Sequence, residues 1–243
     1  MAAPTPVGPP DRGASSVERR ARPSTLDAPR STLTPKARKR VLAALLFAAS
    51  SVPALYLGWQ FWRAWNYLPS DLGKDPVKGL EHATGETAIR FLVLTLAVTP
   101  LRQLTGWNWL APFRRQLGLW MAFYATTHLA TFYALDLEGN LGEVATEIVK
   151  RPYITVGFVA WLLLLPLVLT STTASIRRLG GKRWNRLHQL TYVVVGLGML
   201  HYFWSQKKDV TDPLLFAAVF AALFAWRGWR AWQKRGGAVV PTR

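Results

Sequence analysis

Residues 184–204 have the sequence WNRLHQLTYVVVGLGMLHYFW, an apolar run with a histidine near each end. His188 and His201 stand 13 positions apart, which an α-helix rising about 1.5 Å per residue converts to roughly 20 Å. The hydrocarbon core of a bilayer is about 30 Å thick, so the run predicts a membrane-spanning helix with histidines at two depths. On an ideal helix their side chains would point about 140° apart, and Gly196 and Gly198 favour a distortion that reduces this angle.

The apolar residues, half of the 243-residue chain, occur mainly in runs of about the length of a membrane span. This distribution predicts an all-α membrane protein, with a six-transmembrane-helix bundle at residues 41–232. The preceding residues 1–40, rich in Pro, Ser, Ala and Arg, are predicted to form a disordered basic tail, and a short basic tail follows at 233–243. The predicted spans cover approximately residues 41–62, 87–101, 116–135, 153–173, the run from Leu187 that holds His188 and His201, and 213–232.

The net charge of +17 is of the size found in nucleic-acid-binding proteins, but its distribution indicates a different cause. Of the 30 lysines and arginines, 22 lie in the N-terminal tail, in loops 102–115 and 176–186, and in the C-terminal end from Arg227. The remaining eight accompany ten of the 13 acidic residues in the other loops and at Arg90. Since lysine and arginine accumulate on the cytoplasmic side, both termini are predicted to be cytoplasmic, with membrane lipid and no nucleic acid as a partner.

Three histidines lie inside the predicted spans: His128, His188 and His201. A histidine within a membrane is costly and is therefore a candidate functional residue, although a single one is about as often a hydrogen-bonded packing residue. The chain has no cysteine, which excludes disulfides, thiolate ligands, iron–sulfur clusters and c-type haem attachment. Several intramembrane imidazoles without cysteine indicate b-type haem.

The depths of the histidines predict which of them share a cofactor. His128 lies 12 residues beyond Gln116 and His201 lies 14 beyond Leu187, on spans predicted to run in the same direction. These two side chains are therefore expected at similar depth in the outer half of the membrane, as the axial ligands of one haem. His188 lies near the cytoplasmic end without a histidine at its depth, so an inner haem there would need an unusual ligand, a water or an open position.

Charged residues near the span ends are candidate partners of haem propionates. Arg90, Arg114 and Arg115 are the candidates, and their alternative role is to determine topology. Arg115 occupies the position 13 residues before His128 where a symmetric two-haem bundle would place a second ligand. His82, in a predicted outer loop, is more simply explained as a solvated side chain.

Two loops are candidate docking surfaces. Positive-inside topology explains the basic one equally well, and a plain solvated loop is the simpler alternative for the acidic one. The basic loop 176–186 suits an anionic flavin or a cytoplasmic partner, and the acidic segment 136–147 suits an outer partner. The chain has neither a Walker A pattern nor a glycine-rich dinucleotide fingerprint. If the electrons come from a pyridine nucleotide, another protein must therefore accept the hydride.

Several motifs resemble those of the MsrQ (YedZ) family, which belongs to the ferric-reductase-like transmembrane group. The resemblance covers about residues 75–232 and leaves out the N-terminal tail. His128, His188 and His201 fall on the family's intramembrane histidine positions, and His82 falls on its HATG motif. The matching segments are DPVKGLEHATGETAIRFL (75–92), VTPLR (98–102), RRQLGLWMAFYATTHL (114–129), KRPYITVG (150–157), TSTTASIRRLGGKRWNRLHQLTY (170–192) and HYFWSQK (201–207).

The resemblance implies a haem b electron-transfer subunit of the bacterial inner membrane. It implies one or two haems and an association with FMN, with electrons taken from the quinol pool or a cytoplasmic flavin reductase. The electrons would pass to MsrP, a periplasmic molybdopterin enzyme that itself reduces methionine sulfoxide in proteins. The alternatives are a stand-alone transmembrane ferric or quinol oxidoreductase, and a small-solute transporter with a histidine proton relay. The absence of paired acidic residues within the spans disfavours the transporter.

Overall fold

The computed structural model describes Ala2 and residues 34–206 and 209–236, and within these ranges it is helical without β-strands. A 3-10 turn at Asn108–Leu110 precedes the third helix, and a π-helical turn at Phe132–Asp136 follows it. The α-helices are α1 (Pro35–Trp65), α2 (Pro76–Thr105), α3 (Phe113–Thr131), α4 (Leu141–Lys150), α5 (Pro152–Leu169), α6 (Thr173–Leu179), α7 (Gly181–His188), α8 (Leu190–Ser205) and α9 (Thr211–Gly236).

Four of these helices, α1, α2, α5 and α9, are long and apolar enough to cross a membrane. They confirm the predicted class of all-α membrane protein. The third and fifth predicted spans are also helical, as α3 with 19 residues and α8 with 16, but neither of these two helices is both long and apolar enough to count as a span. The count of six spans and the cytoplasmic location of both termini therefore stay predictions.

Two segments predicted as loops contain helix. Residues 71–86 were expected to be a loop, but α2 begins at Pro76, where the Asp75 side chain caps the helix by accepting a bond from Lys78 N at 3.1 Å. The loop after the third span contains α4, whose first turn is capped by the Asn140 side chain through Gly142 N at 3.0 Å. Helix starts of this kind depend on a single capping residue, which the apolar pattern did not reveal.

Both predicted tails contain helix where the structure describes them. Helix α1 begins at Pro35, inside the predicted disordered tail, and α9 extends to Gly236, inside the predicted C-terminal tail. The rest of both predictions, at residues 3–33 and 237–243, lies outside the described residues.

The apolar run 184–204 is not one helix. Helix α7 ends at His188 and α8 begins at Leu190, with Gln189 between them. The Gln189 N–H still bonds to the carbonyls of Asn185 and Arg186, both at 3.2 Å, so the chain turns tightly at this point. Because His188 and His201 belong to different helices, the angle calculated for an ideal helix does not apply to them.

Helix packing occurs mainly in two pairs, α2 against α3 and α5 against α8. The side chains at the centre of the core come from both pairs and from α9, and include Leu96, Tyr124, Val195 and Phe220. Most large side chains of α1 are exposed instead, as expected for a helix that faces lipid. The paired helices therefore form the framework that positions any intramembrane site.

Two prolines interrupt the backbone hydrogen bonds of long helices, and tertiary contacts compensate for both. Next to Pro53, the Tyr124 hydroxyl accepts from Ala54 N at 3.0 Å and donates to Ser50 O at 2.6 Å. This hydroxyl thus bridges the Ala54 amide and the Ser50 carbonyl beside the proline. The carbonyl of Leu96, which a proline at position 100 deprives of its donor, accepts from Arg227 at 2.6 Å. Such compensation matters in lipid, where water cannot satisfy the backbone.

Candidate functional site

The structure brings together the two histidines predicted to lie at matched depth. His128 is close to the end of α3 and His201 is close to the end of α8. Their imidazole ring centroids are 6.0 Å apart, and the ring planes are inclined at 72°. Two helices from different pairs thus present one imidazole each to a common space.

Both imidazoles are oriented by a backbone carbonyl of a neighbouring helix. His128 Nδ1 lies 2.9 Å from the carbonyl oxygen of Glu81 on α2, and His201 Nδ1 lies 2.7 Å from that of Tyr153 on α5. Because a carbonyl oxygen can only accept, Nδ1 is the donor in both rings. The proton is thereby assigned to Nδ1, and the lone pair of Nε2 is left to bind a metal.

A glycine lies beside each of these rings. A Cβ at Gly157 would lie 2.5 Å from His201 Nδ1, and a Cβ at Gly85 would lie 3.3 Å from His128 Nδ1. The first distance is shorter than real Cβ contacts, so the His201 ring requires glycine at position 157 to reach the Tyr153 carbonyl. The second is tight, and it would displace the ring by only a few tenths of an ångström.

The two imidazoles lie in a cavity of about 340 Å³ between α2, α3, α4, α5 and α8. Its walls are largely apolar, with Leu92, Met121, Phe158, Leu164 and Val194 among the lining residues. This combination of a mostly apolar enclosure and a few convergent polar groups is typical of cofactor sites.

The separation of the two imidazoles bears on the b-type haem that the sequence predicts. Two imidazoles that bind one metal at about 2 Å each have ring centres roughly 6 Å apart. The observed separation of 6.0 Å agrees with this value. The apolar walls and the fixed tautomers also suit an iron porphyrin, so His128 and His201 fit haem as axial ligands.

The third predicted ligand, His188, lies elsewhere. Its Nε2 is 3.2 Å from the Thr170 hydroxyl, and its ring stacks on Trp184 with centroids 3.9 Å apart. The Thr170 hydroxyl donates to Pro166 O at 2.5 Å, so His188 Nε2 is the donor in the contact with Thr170. In this arrangement Nδ1 is the nitrogen of His188 that remains available as an acceptor.

The predicted propionate partners are not among the residues that line the cavity. Arg90 is exposed and bonds to Glu86 at 2.6 Å, and Arg114 and Arg115 are exposed in the first turn of α3. His82 is exposed and contributes to the cavity lining.

Sequence reasoning missed two basic residues and two glycines of the cavity. Lys78 and Arg151 are its basic lining residues, beside Gly85 and Gly157. The only available signal was that these residues lie within the motifs DPVKGLEHATG and KRPYITVG, and a motif does not identify the side chains that share a space.

The helices and the paired imidazoles define a class: helical membrane proteins that hold a cofactor between their spans. Residues 84–199 match the family described as ferric reductase like transmembrane component. Relatives that are 50% identical over about 80% of the chain narrow this class to one family: the chain belongs to the MsrQ family. The resemblance found in the motifs is thereby confirmed.

Three of these relatives carry the name protein-methionine-sulfoxide reductase heme-binding subunit MsrQ. The protein of Xanthomonas oryzae pv. oryzae (strain MAFF 311018) is 50% identical over 195 residues, which is 80% of this chain and 89% of the relative. That of Xanthomonas euvesicatoria pv. vesicatoria (strain 85-10) is 50% identical over 202 residues, covering 82% and 92%. That of Herminiimonas arsenicoxydans is 47% identical over 170 residues, covering 69% and 78%.

Proposed function

We propose that this chain is the haem b electron-transfer subunit of a methionine sulfoxide reductase system in the bacterial inner membrane. It takes electrons from the quinol pool or a cytoplasmic flavin reductase and passes them to a periplasmic molybdopterin enzyme of the MsrP kind. The observation that carries the proposal is the pair of imidazoles 6.0 Å apart, each with Nδ1 held by a carbonyl. The names of the relatives, which state heme binding, support it.

His128 and His201 are the residues that would hold the haem through their Nε2 atoms. Haem held by these two imidazoles would supply reversible one-electron chemistry. The remaining task of the protein is to hold the ligands still. The carbonyls of Glu81 and Tyr153 do this by fixing the orientation and tautomer of each ring.

The apolar walls of the cavity serve the same task. Side chains such as Leu92 and Val194 give the space around the imidazoles apolar walls, and low polarity influences the reduction potential of a buried cofactor. The subunit itself therefore moves electrons, and the reduction of methionine sulfoxide is assigned to the partner.

His188 marks a second, inner site in this proposal, for an inner haem or a place next to FMN. Arg115 lies in the first turn of α3, far along that helix from His128, and we assign it to the same inner end of the membrane. A metal at His188 would bind through Nδ1 or would displace the Nε2 contact with Thr170. The basic segment 176–186 is proposed as the docking surface for FMN or the electron donor.

The acidic segment 136–147 is the proposed docking surface for the periplasmic partner. Asp136 and Glu147 are already paired with basic residues within the chain, at 2.6 and 2.7 Å. Glu138 and Glu143 are exposed, and Leu141, with 71% of its surface exposed, adds an apolar contact point. A mixed acidic and apolar surface suits a transient electron-transfer encounter, since charge accelerates association.

The test is a visible spectrum of the detergent-purified protein, oxidised and reduced with dithionite. The α-band of reduced b-type haem should be present in the wild type, be lost in both His128→Ala and His201→Ala, and persist in His188→Ala. Loss in His188→Ala together with retention in His128→Ala would refute the assigned pair. A wild-type protein that stays colourless when made with ample haem would refute the electron-transfer function and favour the transporter.

A second measurement separates the proposed subunit from a stand-alone reductase. Reduced protein is mixed with a purified molybdopterin partner and methionine sulfoxide, and reoxidation of the haem is followed by absorbance. Reoxidation that requires both additions supports the proposal, whereas reoxidation by ferric chelates alone supports the stand-alone alternative.

A further inference from the structure

The cavity that holds the paired imidazoles is charged at one end only. Its charged lining residues are Lys78, Glu81 and Glu86, in the first three turns of α2, and Arg151, immediately before α5. A salt bridge of 2.6 Å between Lys78 and Asp136 joins the start of α2 to the end of the π-helical turn. In the predicted topology this charged end faces the periplasm.

Each basic residue at the charged end of the cavity also bonds to an acidic residue of the segment 136–147. Lys78 Nζ lies 2.6 Å from Asp136 and 3.2 Å from Glu81. Arg151 Nε lies 2.7 Å from Glu147, and its Nη1 lies 3.4 Å from the Tyr153 hydroxyl. An ammonium has three donors and a guanidinium has five, so both side chains have donors left for another acceptor.

An iron protoporphyrin matches this arrangement, because it is apolar except for two propionates on one edge. Carboxylates that enter a membrane cavity need compensating positive charge, and the need is greater here because Glu81 and Glu86 line the same end. Lys78 and Arg151 are the two basic residues among the described residues that line the cavity.

We propose that Lys78 and Arg151 bind the two haem propionates, so that the propionate edge faces the outer side of the membrane. This inference rests on the proposed haem function. Each cation is then shared between a propionate and a carboxylate of the acidic segment 136–147. The cations thereby connect the cofactor to the surface assigned to the partner.

Arg90 provides a matched comparison. It lies on α2, like Lys78, and forms an ion pair of 2.6 Å with Glu86, but its own side chain does not line the cavity. If only net positive charge near the outer end mattered, Arg90→Gln would affect the haem as much as Arg151→Gln. If direct propionate contact matters, Arg90→Gln should have a clearly smaller effect than Arg151→Gln, because Arg90 acts only through Glu86.

The experiment measures the haem dissociation rate and the reduction potential of purified full-length protein. Dissociation is followed by transfer to an excess of a soluble haem-scavenging protein. Lys78→Gln and Arg151→Gln should each accelerate dissociation about tenfold, since a charge-assisted hydrogen bond contributes on that scale. Both should lower the potential, because removal of a positive charge disfavours the added electron. Arg151→Lys should bring both the dissociation rate and the potential part of the way back to the wild-type values.

A second pair of variants keeps the test decisive if Lys78→Gln and Arg151→Gln fail to accumulate. Asp136→Asn and Glu147→Gln remove the competing carboxylates, so each should slow dissociation and raise the potential. The proposal would be overturned if Lys78→Gln and Arg151→Gln had the dissociation rates and potentials of wild type and Arg90→Gln. It would also be overturned if Asp136→Asn and Glu147→Gln had no effect. The α-band would persist in those cases, whereas failure of the haem function itself would remove it from the wild type.

Discussion

Gly157→Ala tests whether the close approach of α5 to His201 is required for haem binding. The added Cβ would lie 2.5 Å from Nδ1, 2.8 Å from Cε1 and 3.0 Å from Cγ of His201. Ordinary van der Waals contact begins at 3.4 Å, so the ring must retreat by nearly 1 Å. All three atoms belong to a rigid ring, which cannot relieve the contact by bending.

That retreat removes the bond that orients the ring. The distance from Nδ1 to the Tyr153 carbonyl, 2.7 Å in the native arrangement, would exceed 3.5 Å if the whole displacement falls along it. Loss of such an outer-shell partner typically weakens metal affinity about 10- to 100-fold. We therefore expect Gly157→Ala to increase haem loss by at least tenfold and to reduce the α-band per mole of protein.

Two other glycines serve as graded controls. Gly85→Ala brings a Cβ to 3.3 Å from His128 Nδ1, so its effect should be small, and Gly196→Ala, on α8 with open space around it, should have none. The assay is the rate of haem transfer to a scavenging protein, with thermal unfolding of the same samples as a check on folding. If Gly157→Ala retains haem as well as Gly196→Ala does, the argument from close approach is wrong.

Two further predictions concern the helix junctions and the outer surface. Tyr124→Phe removes the hydroxyl that joins Ser50 and Ala54 across the proline break in α1, and should lower the free energy of unfolding in detergent by about 1–3 kcal/mol. The haem spectrum should not change, and Tyr67→Phe, at a residue 99% exposed, is the neutral control. Combined Glu138→Gln and Glu143→Gln should slow haem reoxidation by the partner several-fold and reduce its salt dependence. A rate unchanged at low salt would place the docking surface elsewhere.

The pairing of His128 with His201 could be predicted from sequence because depth in a helix follows from counting. His128 and His201 lie similar distances from the ends of their apolar runs, and the structure places their rings together. The same counting treated His188 and His201 as parts of one helix, whereas Gln189 separates α7 from α8. The role of His188 stays a prediction. Apolar periodicity does not detect a one-residue break between two helices.

The surroundings of the histidines could not be predicted in the same way. The position of Arg90 near the start of an apolar run predicted a role for it, whereas Lys78 lines the cavity because Asp75 caps α2 before that run begins. The requirement for glycine at position 157 arises from a histidine 44 positions later in the chain. Contacts of this kind depend on which helix faces meet, and a single sequence does not contain that information.

The hydroxyl that bridges the break at Pro53 has a consequence for the order of assembly. Helix α1 is synthesised first, and its Ser50 carbonyl and Ala54 amide have no tertiary partner until α3 delivers Tyr124. In α2 the carbonyl of Leu96 obtains its donor later still, because that donor is Arg227 of α9, the helix synthesised last. Insertion into the bilayer and completion of the backbone hydrogen bonds are thus separate events, and nascent chains that stop before α9 should be substrates for membrane quality-control proteases.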